Sequence, residues 1–357
     1  MAGSQLEDDS ATDAAARTAA RSHARAQPAP ASWQAEKFIE TLGGGVKTLA
    51  KTCGDLFVYG ALRAVWGLLH GLSAQRARGV LESIGAAVGH VDRHHRRVVA
   101  DNLAVAFPHW DARTRARVVE ASFCNWGRLA AEVIHVQALI DAAPEEQWRE
   151  AASAVAAAAA ARNRGLLVLT AHTANFEVLA RTWCARIGPL AVFHRNFGNP
   201  YVDGFLRSAR QAAHMATIGR GVSVRDSLRL LAGGTSIAVA LDQNQRPGHG
   251  VFVEMFGRAA CTSTILARLS LATATPVLPV FAVWQGNALV PLVGRLIEPP
   301  QRLRGEARAD AITALTQRYT AEIEAVVRKH PEQWNWAHRR WKTRPEAEAG
   351  VVANARG

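Results

Sequence analysis

The chain has few cysteines and none of the short motifs that mark common zinc sites and serine hydrolases. Its 357 residues include four cysteines, Cys53, Cys124, Cys184 and Cys261, with no close pair among them. This spacing argues against a disulfide framework and favours reduced thiols in a protein that faces the cytoplasm. No Cys-x-x-Cys or His-Glu-x-x-His motif occurs, so a zinc site is not predicted. A Gly-x-Ser-x-Gly nucleophile elbow is also missing, which argues against a serine hydrolase.

The sequence also lacks an uninterrupted apolar run of the length that a membrane span needs. Residues 1 to about 32 have almost no large apolar side chains and no signal-peptide core, and we expect them to be disordered. The stretch 56–72 is largely apolar, but a central charge such as Arg63 costs roughly 2.5–3.5 kcal/mol in a span. The pattern favours a tilted or interfacial helix whose arginine reaches the lipid headgroups. A buried core helix is the alternative.

Positive charge is in excess. The chain has 42 Lys and Arg against 30 Asp and Glu, a formal net charge of +12, which indicates an anionic partner such as nucleic acid, acidic lipid or an acidic protein. Zinc-finger spacing, an RNP-like aromatic block and a basic zipper are all missing, so nucleic-acid binding is not predicted. The ten tryptophans favour a surface where apolar and aqueous regions meet.

From residue 165 onward, short apolar runs alternate with segments of helical spacing. The predicted strands are 165–170, 189–194, 215–219, 235–241, 276–284 and 288–293. The predicted helices are 175–186, 200–212, 223–232, 262–273 and 307–329. This alternation predicts an α/β fold with a mixed, mostly parallel sheet flanked by helices.

Helical spacing dominates the part of the chain before the sheet. Residues 74–140 are predicted as helices, with a break between Asn102 and Pro108, and the glycines at 43–45 are predicted as a linker. The sequence predicts a disordered extension over 1–45, a helical, membrane-associating region over 46–150, an α/β domain over 151–345 and a disordered tail over 346–357.

One histidine and one carboxylate lie where the first predicted strand gives way to a helix. His172 follows the apolar run, and Glu177 comes five positions later. Within one helix the two would be about 140° apart, so they can meet only if His172 lies in the turn. There the helix N-terminus keeps the imidazole neutral, and Glu177 could orient it as a general base. The alternative is a buried histidine with a local hydrogen bond and a helix-capping glutamate.

Two more charged residues follow predicted strand ends. Arg195 follows the second predicted strand, and Asp242 follows the fourth. In open α/β sheets, binding sites lie at the carboxyl ends of strands, so His172, Arg195 and Asp242 are predicted to share a site. A structural salt bridge to Asp203 or Asp242 is the alternative role for Arg195.

Five ordered segments resemble the signature blocks of the bacterial lipid A biosynthesis (lauroyl/myristoyl) acyltransferase family, in the lysophospholipid acyltransferase-like superfamily. Residues 172–177 resemble its catalytic motif, and the other blocks are 97–108, 193–203, 242–257 and 331–345. The resemblance covers about residues 54–345. This chain departs from the family pattern at Ala171 and Ala174, where glycine is usual, and at Phe176, where tryptophan is usual.

The resemblance implies an O-acyltransferase that moves a fatty acyl chain from acyl-acyl carrier protein to a hydroxyl group of a lipid A precursor. It implies no metal or tightly bound cofactor, and a place at the cytoplasmic face of the inner membrane, peripheral or with a single N-terminal anchor. His172 would be the base and Glu177 its orienting partner. Arg195 and backbone amides around Ala174 and Asn175 would stabilise the oxyanion, or Arg195 would hold a phosphate.

Substrate contacts are expected in the other blocks. Asn175 belongs to the catalytic motif, Asn199 and Asp203 would fix the loop that carries Arg195, and Asp242 would cap its own loop or contact the acceptor. These roles are implied by the position of each residue in its block.

Two aromatic residues and two arginines complete the predicted site. Phe252 and Phe256 would line the acyl pocket, with ordinary β core as the alternative. Arg339 and Arg340 lie among tryptophans and would bind phosphorylated headgroups or the acidic carrier protein, with a surface-packed tail as the alternative.

Two other functions remain open at the level of sequence. One is an acyltransferase that uses acyl-CoA and another glycolipid or a lysophospholipid. The other is a non-catalytic membrane-binding protein that keeps the fold.

Overall fold

The computed structural model describes residues 31–160, 164–193, 198–219, 224–301 and 303–346, with side chains described from residue 51 onward. The chain divides into two units, Met1–Val58 and Tyr59–Gly357. The sheet, the core and the candidate site all belong to the second unit. The predictions of disorder for residues 1–30 and 347–357 lie outside the described residues.

The first described helix, α1, covers Ala31–His70 and runs through the glycines at 43–45, which the sequence predicts as a linker. The predicted domain boundaries after residues 45 and 150 fall inside α1 and inside the later helix Glu145–Ala160. Among the described residues, no helix has both the length and the apolar character that crossing a bilayer requires. The Arg63 side chain donates to the Tyr59 hydroxyl at 3.1 Å and lies over the Phe205 ring.

Five helices lie between α1 and the sheet. They are α2 (Ala74–Val91), α3 (Arg93–Ala106), α4 (Ala112–Ile134), α5 (Val136–Asp141) and α6 (Glu145–Ala160). Ser73, Asp92 and Asp111 cap the starts of α2, α3 and α4 by accepting a backbone N–H three residues later. The predicted break is present at its Pro108 end: the helix ends at Ala106, whereas Asn102 lies inside α3.

Asn102 is buried inside α3 for a tertiary reason. Its side-chain amide donates to the backbone carbonyls of Trp336 and His338 at 2.7 and 2.8 Å. It therefore holds the C-terminal segment against the helix instead of ending the helix.

All six predicted strands are present. They are β1 (Leu167–Thr170), β2 (Leu190–Phe193), β3 (Met215–Ile218), β4 (Ser236–Ala240), β7 (Val277–Gln285) and β8 (Ala288–Val293). Together they form one sheet of order β3-β2-β4-β1-β7-β8. Every pairing is parallel except that of β7 with β8. The predicted fold class, a mixed and mostly parallel sheet flanked by helices, is confirmed.

Helices follow or flank these strands as predicted, with small shifts at their ends. They are α7 (Phe176–Arg186), α8 (Pro200–Ala212), α9 (Val224–Ala232), α10 (Ile265–Thr273) and α11 (Gly305–Lys329), followed by a 3₁₀ turn at Pro331–Gln333. Successive strand residues face opposite sides of a sheet, which divides the core in two. On β1, Leu167 and Leu169 join the cluster that includes α11 residues, whereas Val168 joins the cluster that includes α7 residues.

A separate antiparallel hairpin was not predicted as strands. It consists of β5 (Val251–Met255) and β6 (Arg258–Thr262). The Gln317 side chain of α11 exchanges two hydrogen bonds with the backbone of Glu254, at 2.7 and 3.0 Å. The hairpin thus lies along α11, outside the main sheet.

Candidate active site

His172 and Asp242 meet at the carboxyl edge of the sheet. His172 comes two residues after β1 and Asp242 two residues after β4, and these strands are parallel neighbours. The Nδ1 atom of His172 lies 2.7 Å from Oδ1 of Asp242, and the His172 backbone N–H donates to Oδ2 at 2.8 Å. The Trp334 indole N–H also donates to Oδ2, at 2.8 Å. Three donors therefore hold one buried carboxylate.

The two side chains shift each other's protonation. Burial alone would lower the pKa of His172, but the charge and hydrogen bond of Asp242 outweigh burial and raise it above its ordinary value. Burial alone would raise the pKa of Asp242, but His172 and the donated hydrogen bonds hold it well below its usual range. Asp242 therefore stays ionised and accepts from Nδ1–H, which leaves Nε2 of neutral His172 as the basic atom.

The other ring nitrogen of His172 faces an accessible position. Its Nε2 lies 3.4 Å from the side-chain amide nitrogen of Gln243, an exposed residue directly after Asp242. The His172 side chain is about one-fifth exposed, at 20%. A substrate hydroxyl can therefore approach Nε2, while Nδ1 of the same ring is hydrogen-bonded to Asp242.

Glu177 does not occupy the position that the sequence predicts. Its carboxylate lies between two arginines: Arg210 of α8 donates from Nη2 at 2.8 Å and from Nε at 3.0 Å, and Arg181 of α7 approaches to 3.3 Å. The Nδ1 atom of His172 is instead paired with Asp242. The predicted contact between Glu177 and His172 is therefore wrong, because α7 turns the Glu177 carboxylate towards α8.

The start of α7 uses its polar groups for structure. Asn175 caps the helix by accepting the Val178 N–H, and its side-chain amide donates to Glu132 at 3.0 Å and to the carbonyl of Leu129. The Ala174 N–H donates to the carbonyl of Gln333 at 2.7 Å. The Asn175 side chain and the Ala174 amide are thus engaged within the protein, contrary to their predicted roles towards substrate. Ala174 has a φ of 40°, a region that favours glycine.

The two C-terminal arginines differ from each other. Arg340 is buried and donates to the carbonyls of Gln243 and Cys261, both at 3.1 Å, and to the Thr262 hydroxyl. It therefore joins the Asp242 loop to the β5–β6 hairpin. The sequence predicts Arg340 as a headgroup ligand, and its burial contradicts that prediction. Arg339 is exposed and lies 3.5 Å from Nε2 of His94.

The remaining predicted residues take mixed positions. Asn199 caps α8, and Asp203 is buried in its first turn with Arg207 3.3 Å away. Phe256 is buried against Phe107, Trp336 and Trp341, whereas Phe252 is partly exposed on β5. Arg195 lies outside the described residues.

An apolar cavity of about 90 Å³ begins beside His172. Its polar lining includes His172, Thr170, Glu177 and Arg210. Its apolar lining comes from β1, β2, β4, β7 and α7, and includes Val168, Leu179, Ala180, Trp183, Leu190, Val192, Ala238 and Val280. Phe252 and Phe256, predicted to line the acyl pocket, are not among the residues of this cavity. A basic histidine in the lining of an apolar cavity suits chemistry on the polar end of an apolar chain.

The match to known proteins extends over most of the chain. The family model of bacterial lipid A biosynthesis acyltransferases matches residues 55–343. The chain belongs to this family. It is therefore an O-acyltransferase, and its activity is that of a lipid A acyltransferase. The resemblance found in the sequence blocks is confirmed.

Curated lipid A acyltransferases are similar to this chain over much of its length. The chain is 22% identical over 271 residues to the lipid A biosynthesis myristoyltransferase of Escherichia coli (strain K12), covering 75% of this chain and 82% of that protein. It is 24% identical over 272 residues to lipid A biosynthesis acyltransferase 2 of Shigella flexneri, covering 76% and 85%. It is 28% identical over 191 residues to the lipid A biosynthesis lauroyltransferase of Escherichia coli (strain K12), covering 52% and 59%.

Sequence reasoning missed three contributors to the site of this acyltransferase. Trp334 donates to Asp242, Arg210 pairs with Glu177, and Gln243 faces His172. Only Gln243 had a local signal, because it follows a residue at a predicted strand end. Across the part of the chain that the structure describes, no group of three or more His, Cys, Asp or Glu side chains could hold a metal ion.

Proposed function

We propose that this chain transfers a fatty acyl group from acyl-acyl carrier protein to a hydroxyl group of a lipid A precursor, with His172 as the general base. The observation that carries the proposal is the His172–Asp242 pair at the wall of an apolar cavity. Asp242 holds the proton on Nδ1, so Nε2 is free to take the proton of the acceptor hydroxyl.

The reaction needs two proton transfers through His172 and one exchange at the carbonyl carbon. Nε2 of His172 takes the hydroxyl proton while the hydroxyl oxygen attacks the thioester carbonyl, and a tetrahedral oxyanion forms. The C–S bond then breaks, the new C–O ester remains, and the carrier thiolate receives the proton from the imidazolium. General base catalysis of this kind typically contributes about 10²–10⁴-fold to the rate.

The apolar cavity is the proposed site for the acyl chain. Its walls are buried aliphatic side chains and Trp183, and burial of each methylene contributes about 0.8 kcal/mol. His172 is part of the lining, so a chain lying in the cavity would have its thioester within reach of Nε2. This arrangement would also keep water away from the reacting carbonyl.

The positive charge of the chain supports an acidic donor and a phosphorylated acceptor. The formal net charge is +12, and the exposed arginines include Arg339, Arg93 and Arg97. An acidic carrier protein and lipid phosphates would both be attracted to such a surface.

We also propose that the enzyme acts at the cytoplasmic face of the inner membrane, with α2 in contact with the bilayer. Val80, Ile84, Val88 and Val91 form a stripe on α2 and are between 43% and 82% exposed. The opposite face of α2 packs against α4 through Gly85 and Gly89. Exposed Arg76 and Arg93 are near the two ends of the stripe and suit anionic headgroups.

Vesicle flotation tests the membrane contact. Full-length protein should float with phosphatidylglycerol–phosphatidylethanolamine vesicles, and the double variant Ile84→Asp, Val88→Asp should bind at least about 10-fold less. Leu228→Asp replaces a comparably exposed leucine on α9 and is the matched control. Equal flotation of wild type and the double variant would remove α2 from the proposal.

Acyl transfer by the purified protein in mixed micelles tests the function. Labelled acyl-acyl carrier protein is offered with an under-acylated lipid A precursor, and wild type is compared with His172→Ala and with the exposed-histidine control His109→Ala. We expect product from wild type and His109→Ala, and a loss of at least about 10²-fold in His172→Ala.

Other results would change the proposal in defined ways. If transfer occurs only from acyl-CoA and only to another glycolipid or a lysophospholipid, the proposed donor and acceptor would both be replaced and the mechanism kept. Full activity in a folded His172→Ala protein would eliminate the general-base role. No transfer to any acceptor would favour a membrane-binding protein without catalysis.

A further inference from the structure

The oxyanion of the tetrahedral intermediate requires hydrogen-bond donors close to His172. The sequence predicts the backbone amides around Ala174 and Asn175 for this role, but the Ala174 amide donates to the carbonyl of Gln333 at 2.7 Å. The side-chain amide nitrogen of Gln243 lies 3.4 Å from Nε2 of His172, the atom at which the reaction begins. Gln243 is therefore a neutral donor directly beside the proposed chemistry.

We propose that Gln243 is a catalytic residue whose side-chain N–H donates a hydrogen bond to the oxyanion of the intermediate. This inference rests on the proposed function, since it uses His172 as the base and a thioester as the donor.

The protonation of His172 explains the resting contact. Because Nδ1–H is directed to Asp242, Nε2 carries a lone pair and accepts a hydrogen bond. The Gln243 amide occupies that acceptor position at 3.4 Å, which is where the substrate hydroxyl must bind. When the hydroxyl binds, the reacting carbonyl lies about 3–3.5 Å from the hydroxyl oxygen. A rotation of the exposed Gln243 side chain then directs its N–H to the carbonyl oxygen.

The backbone that carries Gln243 is held by the C-terminal segment. Buried Arg340 donates to the Gln243 carbonyl at 3.1 Å, and the Asn244 N–H donates to Nε2 of His338 at 2.7 Å. The Thr343 hydroxyl donates to the carbonyl of Gln245 at 2.6 Å. Because the backbone is fixed, the reorganisation that the donor needs is limited to the rotation of one side chain.

A glutamine has the chemistry that this role requires. Its amide donates to an anion while remaining neutral, so it does not compete with His172 for the proton. A glutamate at the same position would lack the donor and would place a negative charge beside both Nε2 and the oxyanion. The change Gln243→Glu should therefore abolish the stabilisation and also raise the pKa of His172.

The test compares two reactions of the full-length enzyme: acyl transfer to the lipid A precursor, and hydrolysis of the acyl-acyl carrier protein thioester without acceptor. Both pass through an oxyanion, whereas only transfer needs the acceptor. Gln243→Ala and Gln243→Glu are compared with Gln245→Ala, a glutamine two residues along the same loop. Thermal unfolding and circular dichroism establish that each variant is folded.

We expect Gln243→Ala to lower kcat about 10²–10³-fold in both reactions, with KM changed less than about threefold, because the oxyanion forms only along the reaction path. Gln245→Ala should keep wild-type rates. A fall in transfer with unchanged hydrolysis would overturn the oxyanion role and assign Gln243 to the acceptor hydroxyl. Unchanged rates in both reactions would overturn any catalytic role.

The two proposals fail differently. Hydrolysis without transfer to the lipid A precursor by wild type would reject the proposed acceptor, and the Gln243 comparison would still be decided by hydrolysis. No cleavage of the thioester by wild type would reject both proposals together.

Discussion

Asp242 determines the protonation and orientation of His172. Its carboxylate accepts from Nδ1 and from the backbone N–H of His172, and from the indole of Trp334. Three donors on one carboxylate leave little freedom to the ring, so the basic nitrogen keeps a fixed direction. The pairing also raises the pKa of His172, which makes the base stronger and restricts its activity to higher pH.

Asp242→Asn tests this pairing. The wild-type kcat/KM should rise with pH as His172 loses its proton, with a midpoint above about 6.5, the ordinary histidine value. Removing the carboxylate removes the interaction that raises the pKa, so the midpoint should move to lower pH. The plateau should fall about 10²–10⁴-fold, because asparagine has one acceptor for three donors. The measurement is a pH–rate profile of thioester cleavage.

The control is Asp101→Asn, which replaces an exposed carboxylate on α3. It should leave both the midpoint and the plateau unchanged. If Asp242→Asn keeps the wild-type midpoint, Asp242 is not the partner that sets the basicity of His172.

Glu177→Gln tests the other carboxylate of the motif. Glu177 is buried between Arg181 and Arg210, and breaking a buried ion pair typically costs about 3–5 kcal/mol. We expect a loss at the lower end, about 3 kcal/mol in the free energy of unfolding, because the amide oxygen still accepts a hydrogen bond. Urea unfolding measures this loss. The midpoint of the pH–rate profile should stay where it is, and a shift to lower pH would support the role that the sequence predicts for Glu177.

At the scale of elements, α2 and α4 approach closely at glycines. A Cβ atom at Gly85 would meet the backbone carbonyl of Phe123, and one at Gly127 would meet the carbonyl of Leu81. The glycines therefore set the distance between the two helices, because any side chain at these positions would push the backbones apart.

A pair of glycine substitutions on α2 tests this contact. Gly85→Ala should lower the free energy of unfolding by about 1–3 kcal/mol through overpacking. Gly79→Ala is the matched control, because the space around its Cβ is open, and it should raise stability by up to about 1 kcal/mol through helix propensity. Both values come from denaturant unfolding. Equal effects of the two substitutions would contradict close packing at Gly85.

Periodicity in the sequence was enough to locate the elements of the sheet region. Alternating apolar runs predicted six strands that are all present, and Asn199 before Pro200 starts α8 at the predicted residue. The β5–β6 hairpin was missed because its exposed residues include Phe252, so its apolar pattern does not alternate cleanly. Asn102 does not mark the break before Pro108, because its side chain makes a contact with a segment more than two hundred residues away.

At the scale of the whole molecule, the sheet separates two core layers, and the cavity lies on the side that includes α7. The layer on the other side contains buried Trp334, Trp336 and Trp341. Trp334 also donates to Asp242, so one layer supports the His172–Asp242 pair while the other surrounds the site proposed for the acyl chain.

Ala238→Leu tests the cavity as the acyl site. Ala238 lines the cavity from β4, and a leucine there would fill part of its volume. We expect the preferred donor to become shorter by about two methylenes, since each buried methylene contributes about 0.8 kcal/mol. Competition among acyl-acyl carrier proteins of ten to sixteen carbons measures the preference. Ala216→Leu, at an exposed position of β3, is the control, and an unchanged preference in Ala238→Leu would place the acyl chain elsewhere.

Three features could be predicted from the sequence alone: the six strands of the main sheet, the family, and the place of His172 after a strand. These features depend on local periodicity and on short motifs, which can be read along the chain. The carboxylate that holds His172 could be identified only from the fold. Asp242 is 70 positions away and becomes a neighbour because β4 pairs with β1, whereas the nearby Glu177 is turned by α7 towards Arg210. Arg340 is buried and the neighbouring Arg339 is exposed, a difference that spacing in the sequence does not predict. It depends on packing between distant segments.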